Sequence, residues 1–342
     1  MDRAVPTVNR SHLGAPLRRS SLEICAGGGG SALGLERAGF HPALLIDNLP
    51  EACETLRFNR PHWDVRNIDL EEFNPLENKD LDDLVHQVDL LSAGLPRVQA
   101  MATVHRPRGT EKELKLLRAT ALLIHAVKPK VLLIENVPNL ADNDKYRAIR
   151  TYIEQELAHL QYRWTWFVID AQNYGVPQRR RQGMLVALSK DVPGDFRVPE
   201  PQGMRLTVSE VLGDSMASRG WPDVDAWREL ANDVAPTIVG GSRERGGPDL
   251  GPTGAKRRWE KMGINGHSVG DEIPNAEYKW DPSCGYKGFP KLTIDQVAKL
   301  QSFPEEWIFS GKKTVRYSQV GNACPPLVAH AVGLEIQAAL AG

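Results

Sequence analysis

The chain reads as an α/β protein: a doubly wound, mostly parallel sheet with a second, smaller lobe. Three observations point there. From Leu22 to Leu188, short apolar runs alternate with helical segments, the order of a parallel sheet joined by crossover helices. Runs such as VLLI are apolar throughout and do not alternate, which suits strands covered on both faces. Near Asp191 the composition shifts to Gly, Pro and charge, and it stays so to about Pro290. A length of 342 residues fits about two domains at roughly 100–200 residues each.

The elements follow in order. Residues 1–19 are polar and end in Arg18-Arg19, and they read as a loose tail. LEIC is a short strand that runs into glycines. SALGLERAGF is an amphipathic helix with Leu33, Leu35 and Ala38 on one side. ALLID is a second strand ending in an acid, and PEACETLRFNRP a second helix stopped by Pro61. VDLLSAG is a third strand. VLLIENV, after a long helical stretch, is a fourth. WTWFVIDA and GMLVALS are later strands. GGSRERGGPDLGPTGAKRRWEK is the most basic and glycine-rich stretch. It has no clear period and reads as loops on the smaller lobe. Helix signals return after Lys291. The expected division is 20–188 plus 314–342 for the large lobe and 189–313 for the small one.

Composition excludes several classes. The formal net charge is −1, so any nucleic-acid binding must come from local basic patches. The cysteines, Cys25, Cys53, Cys284 and Cys324, match no zinc spacing, and no metal is expected. They suggest a reducing, cytoplasmic setting. No apolar run approaches about 18 residues, so no membrane span is expected.

ICAGGGGSALGLERAGF sits on a strand-to-helix turn. Glycines there let a ligand approach the backbone, and the helix start offers free N–H groups. Asp47 follows 18 residues after Gly29 at the end of the next strand, where an acid can accept hydrogen bonds from ribose hydroxyls. These residues fit a nucleotide cofactor or S-adenosylmethionine equally.

The motifs taken in order resemble one family. AGGGGSALGLERAGF looks like the first motif of the DNA cytosine-5 methyltransferases and LLIDN like the second. VDLLSAGLP resembles the start of the fourth, LLIENV the sixth and NYGVPQRR the eighth. KLTIDQVAKLQSFPEEW resembles the ninth and QVGNACPP the tenth. The resemblance covers Leu22 to Gly342 and implies a Rossmann-like S-adenosylmethionine-dependent fold. It also implies a target-recognition lobe, double-stranded DNA as partner, base flipping, and a possible place in restriction-modification. S-adenosylmethionine, or S-adenosylhomocysteine, would be held by Cys25, Gly27 and Gly29 at its methionine part and by Asp47 at the ribose. Asn67 would stand near the adenine, where the family usually has Asp. Asn322 and Val328 would close the site. Cys324 reads as a small buried hydrophobe.

The family attacks carbon 6 of cytosine with a cysteine thiolate while a glutamate acts on ring N3, after the base is flipped out. The resemblance makes Glu135 that glutamate. The thiol position is Arg97, and no cysteine lies between Cys53 and Cys284. Arginine does not deprotonate, so it is no nucleophile. The eighth motif usually runs Gln-x-Arg-x-Arg. Here Arg180 is kept and the second arginine is Gln182. An arginine has thus appeared at position 97 and one has gone from position 182, with the formal charge of the pocket unchanged; these departures predict an Arg97–Glu135 ion pair that lowers the Glu135 pKa.

For DNA, Arg106 and Arg108, with His105 and Lys112, lie in the loop after Arg97. Arg243, Arg245, Lys256, Arg257 and Arg258 lie in the recognition segment beside Trp259. Such residues can neutralise phosphates or fork onto guanine edges. Three readings follow: a methyltransferase with an altered route, a silent cofactor- and DNA-binding partner of an active enzyme, or a base-flipping enzyme with other chemistry.

Overall fold

The structure is a computed structural model that describes residues 19–77, 81, 87–97, 110–240 and 248–342. The tail to residue 18, Arg106, Arg108, Arg243 and Arg245 lie outside the described residues.

Strand β1 (Arg19–Ile24) enters the glycine turn, followed by helix α1 (Gly30–Arg37) and β2 (Phe40–Asp47). Then come α2 (Pro50–Asn59), β3 (Val65–Asn67), β4 (Leu90–Gly94), α3 (Thr110–Val127) and β5 (Val131–Asn136). After α4 (Pro138–Asp142) and α5 (Arg147–His159), β6 (Arg163–Asp170) and β7 (Arg181–Leu188) close the sheet. The rest is helical: α6 (Val208–Ala217), α7 (Val224–Leu230), α8 (Thr253–Lys261), α9 (Ile294–Leu300), α10 (Lys313–Asn322) and α11 (Pro326–Ala341).

The sheet has seven strands in the order β3-β2-β1-β4-β5-β7-β6. The first five pair in parallel, and β7 runs antiparallel to both neighbours. The predicted fold class holds. The short strand β3 is an addition, since three residues carry no readable period. Four of the five β4 residues and five of the six β5 residues are buried, as their unbroken apolar runs require. The strand order reverses between β1 and β4. In such a sheet a crevice opens there at the carboxyl ends of the strands.

Glycines set the close packing of α1 on α11. A Cβ on Gly34 would fall 2.3 Å from the Pro326 carbonyl oxygen, and one on Gly333 would fall 2.7 Å from the Ala38 Cβ. The two helices therefore touch backbone to backbone, and the start of α11 is held at the glycine turn. Lys313–Ala341 has the length and apolarity of a membrane span, which residue-by-residue reading did not anticipate. The chain is extended at Ala323 and Pro325 and Pro326 follow, so the stretch folds as α10 and α11. Proline lacks the N–H that would continue a helix.

The basic segment predicted as loops contains α8. Its Ala255 and Trp259, one turn apart, are both buried. The helix forms because that pair anchors it to a core shared with α6, α7 and α9. Trp259 is fully buried and its Nε1 donates to the Leu250 carbonyl oxygen at 3.2 Å, so it is a core residue and not a surface contact for DNA.

A candidate active site at the strand ends

A cavity of about 450 Å³ opens at the reversal point, within the usual range for a small-molecule site. Its walls come from the carboxyl ends of β1 to β5 and from the α10–α11 junction.

One end is built mainly of backbone. Gly27 and Gly29 have φ of 53° and 85°, and Cys25 takes φ 51° although it is not glycine. A left-handed Cys is uncommon, and such strain clusters where a ligand is held. Space beside Gly27 is open, with nothing within 4 Å of a Cβ built there. Asp47 braces the turn: its Oδ2 accepts from Gly27 N and its Oδ1 from Leu49 N, both at 2.8 Å. Cys25, Gly27, Asp47 and Asn322 line the cavity as expected.

Three of the cofactor residues named from the sequence do not line it. A Cβ on Gly29 would strike Leu56 and Trp307 at 2.6 and 2.8 Å, so that glycine packs against the core. Gly28 and Gly30 line the cavity instead. Val328 is fully buried in the core under α11. Asn67 turns its amide to the Asp47 carbonyl oxygen at 2.9 Å. The acid two residues on, Asp69, is in the wall with Ile68 and Leu70.

The other end is built of long side chains. Glu135, at the end of β5, faces Gly94 of β4 on one side and Met184 of β7 on the other. Its Oε1 accepts from Gln182 Nε2 at 2.7 Å. Gln182 therefore holds the glutamate through a neutral amide. Burial raises the Glu135 pKa, opposed by Arg180, then Gln182 and Arg97. The predicted lowering is thus reversed, because desolvation of the carboxylate outweighs three favourable neighbours. The predicted ion pair is absent too. No ion pair joins Arg97 to Glu135, and Arg97 is exposed at the cavity wall. Its loop is held by Asn136, whose Nδ2 donates to the Pro96 carbonyl oxygen at 3.2 Å.

Arg180 is 1% exposed. Its Nη1 donates to the carbonyl oxygens of Ile238 and Gly321 at 2.8 and 3.0 Å, tying the start of β7 to α10. Its Nε and Nη2 have no partner, nor has Gln182 Oε1. Burial, then Arg97, lowers the Arg180 pKa, and Glu135 opposes them. Glu23, inside β1, also reaches the cavity. Burial raises its pKa to about 7. Cys324 lines the cavity as well, so its reading as a core residue is only half met.

Among the predicted DNA contacts, Arg257 and Arg258 are exposed on α8. Lys256 is tied to Asp249 at 2.7 Å, which competes with any phosphate contact.

Comparison with known proteins agrees with this geometry. The model of the C-5 cytosine-specific DNA methylases matches residues 20–338. The chain is 40% identical over 323 residues to the type II methyltransferase M.NaeI of Lentzea aerocolonigenes, covering 93% of this chain and 75% of that one. It is 37% identical to M.NgoMIV of Neisseria gonorrhoeae, covering 94% and 98%. Among solved structures, a putative DNA modification methyltransferase from an Escherichia coli prophage shares the fold. That structure has a TM-score of 0.65 at 19% identity, covering 95% of this chain and all of that one.

Proposed function

Since this chain belongs to the C-5 cytosine-specific DNA methylase family, we propose that it binds S-adenosylmethionine and methylates a cytosine flipped out of double-stranded DNA. The carbon-5 chemistry does not run through position 97. The observation that carries this reading is Glu135, held by Gln182 in the same cavity as the glycine turn.

The cavity suits the cofactor. Its open space beside Gly27 leaves room for a ligand against the backbone, and the carboxylates of Asp47 and Asp69 stand where hydroxyl and amine donors would come. When bound, the cofactor supplies an electrophilic methyl group. Gly27 and Gly28 would hold its methionine part, Asp47 the ribose, Asp69 the adenine side, and Asn322 the closing wall.

The chain's own part at the base is acid catalysis. With a raised pKa, Glu135 can hold a proton and give it to ring N3, which draws electrons from the ring. Gln182 keeps the carboxyl oriented. Arg180 supplies fixed positive charge behind it. Residues 189–313 would form the target-recognition lobe, with Arg257 and Arg258 on α8 toward phosphates. Arg97 favours a second reading, a protein that binds cofactor and DNA without transferring a methyl group, as a partner of an active enzyme.

A labelled-methyl transfer assay on mixed-sequence duplex DNA, beside calorimetry with S-adenosylhomocysteine, separates these. Transfer above background supports the first. Binding of both ligands without transfer supports the second. Absence of binding by folded protein removes both.

A further inference from the structure

A pair of stacked rings stands at the surface of the small lobe. The His267 and Tyr286 rings lie 3.9 Å apart between centroids, with their planes 23° from parallel. His267 is exposed and Tyr286 half-buried. Both are held at the backbone. His267 N donates to Asn265 Oδ1 at 3.0 Å, and Asn265 N to the Pro290 carbonyl oxygen at 2.8 Å. Tyr286, in the turn Pro282–Gly288, donates its N–H to Glu260 Oε1 of α8 at 3.2 Å. Rings fixed in this way lose little freedom on contact with a ligand.

The charge around them points to a nucleic acid. Arg257, Arg258 and Lys261 on α8 and Lys287 in the turn are exposed. Among the described residues none of the four joins an ion pair, whereas Lys256 does. The acids of the two elements are already engaged, Glu260 with Tyr286 and Asp281 with Ser283. Unpaired cations beside exposed rings suit a phosphate backbone with base edges next to it.

The pair also lies within reach of the cavity. A Cβ on Gly240 would fall 2.4 Å from Oδ1 of Asn322 in the cavity wall. Beside that segment runs the next, where a Cβ on Gly251 would fall 3.5 Å from Val239 Cγ2. The third follows, since Leu250 N donates to the Gly266 carbonyl oxygen at 3.0 Å and Val269 N to that of Pro248 at 3.2 Å. His267 sits between those two bonds. At about 5 Å per neighbouring segment, it stands roughly 15 Å from the wall, the length of about four base-pair steps.

We propose that His267 reads a purine within about four base pairs of the target cytosine, and that the Tyr286 ring holds it in place. The proposal rests on the reading of residues 189–313 as the recognition lobe. An imidazole N–H donates to the purine N7, an acceptor that pyrimidines do not present in the major groove.

The test is a selection. The full chain, with S-adenosylhomocysteine, is used to capture DNA from a pool of random duplexes, and the bound fraction is sequenced. This needs DNA binding but no methyl transfer. The wild type should select a purine at one position. His267→Phe keeps the stack and removes the ring nitrogens. It should lower discrimination at that position by about 10-fold or more, with the other selected positions, S-adenosylhomocysteine affinity and thermal midpoint as in the wild type. His267→Ala should lose the same position with the ring gone altogether. Tyr286→Phe should keep the preference, because only its ring is used, and Tyr286→Ala should weaken it at that position alone. A stack that merely braces the turn would lower the midpoint of Tyr286→Ala and leave the choice of His267→Phe unchanged. That unchanged choice overturns the proposal, as does a wild type that binds DNA with no sequence preference. Failure of the folded wild type to bind DNA removes the recognition-lobe reading itself, and the proposal with it.

Discussion

The two ends of the cavity are made by different means. At the cofactor end, one contiguous segment, Cys25 to Gly30, shapes the site with its main chain, and Asp47 braces it from the next strand. At the base end, Glu23, Glu135, Gln182 and Cys324 come from four places in the chain and meet through side chains. A backbone-built site depends on conformation and close packing. A side-chain-built site depends on charge and hydrogen bonding. The first resists change in shape and the second resists change in chemistry.

That contrast can be sharpened by substitution, beginning with the largest effect. Glu135→Gln removes the acid and keeps the shape. Methyl transfer should fall by about 10²–10⁴-fold, the usual worth of a positioned acid. S-adenosylhomocysteine affinity, measured by calorimetry, should stay within a few-fold. A matching loss of cofactor affinity would show that the two ends are not separable.

Gly30→Ala acts on the other end. The added Cβ meets the Cys324 carbonyl oxygen, where Gly30 leaves 2.1 Å, so α1 and the α10–α11 junction must part. Overpacking of this kind costs about 3 kcal/mol, read as a lower urea midpoint together with weaker cofactor binding. An unchanged midpoint would mean that the close approach is not needed.

Glu23 offers a pH test. Its pKa rises from 4.5 to about 7 on folding. Between those values the folded chain binds more protons than the unfolded one, so stability falls as pH rises through the window. The contribution is fully present below 4.5 and gone above about 7. Glu23→Gln should lack this slope, narrowing the stability difference between pH 5 and pH 8 by at most about 3 kcal/mol. Parallel curves for variant and wild type would contradict it.

The smallest effect lies outside the cavity. Replacing both Arg257 and Arg258 by Ala should reduce the dependence of DNA affinity on salt by about one phosphate contact each. Lys256→Ala should change it less, since Asp249 already holds that ammonium. Equal slopes for all three proteins would remove α8 from the DNA surface.

Legibility in the sequence followed the same divide. The fold class was readable because buried parallel strands leave unbroken apolar runs, as in β4 and β5. The glycine turn was readable because local conformation demands glycine. Which glycine faces the ligand was not: Gly29 turns to Leu56 and Trp307, which come from elsewhere in the chain. That Asp69 stands in the cavity wall was not readable either, because a strand of three residues gives no register to count from. At the base end, spacing could name Glu135 but not its protonation, which depends on how deeply the folded walls bury it. Gln182 looked like a loss, yet its amide reaches the carboxyl that an arginine would have held. Cys324 could not be placed there at all from spacing, since only the packing of α1 on α11 brings it to Glu135. Trp259 was misplaced because basic neighbours on the exposed side of α8 hid the buried one.

Trp307 has an optical consequence. Its indole Nε1 donates to the Gly28 carbonyl oxygen at 3.1 Å, and the Arg60 guanidinium lies 5.3 Å over its ring. One of the chain's eight tryptophans is thus wired to the backbone of the glycine turn. Filling that turn changes the field around an emitting ring. The protein carries its own fluorophore for cofactor titration, and no label need be attached.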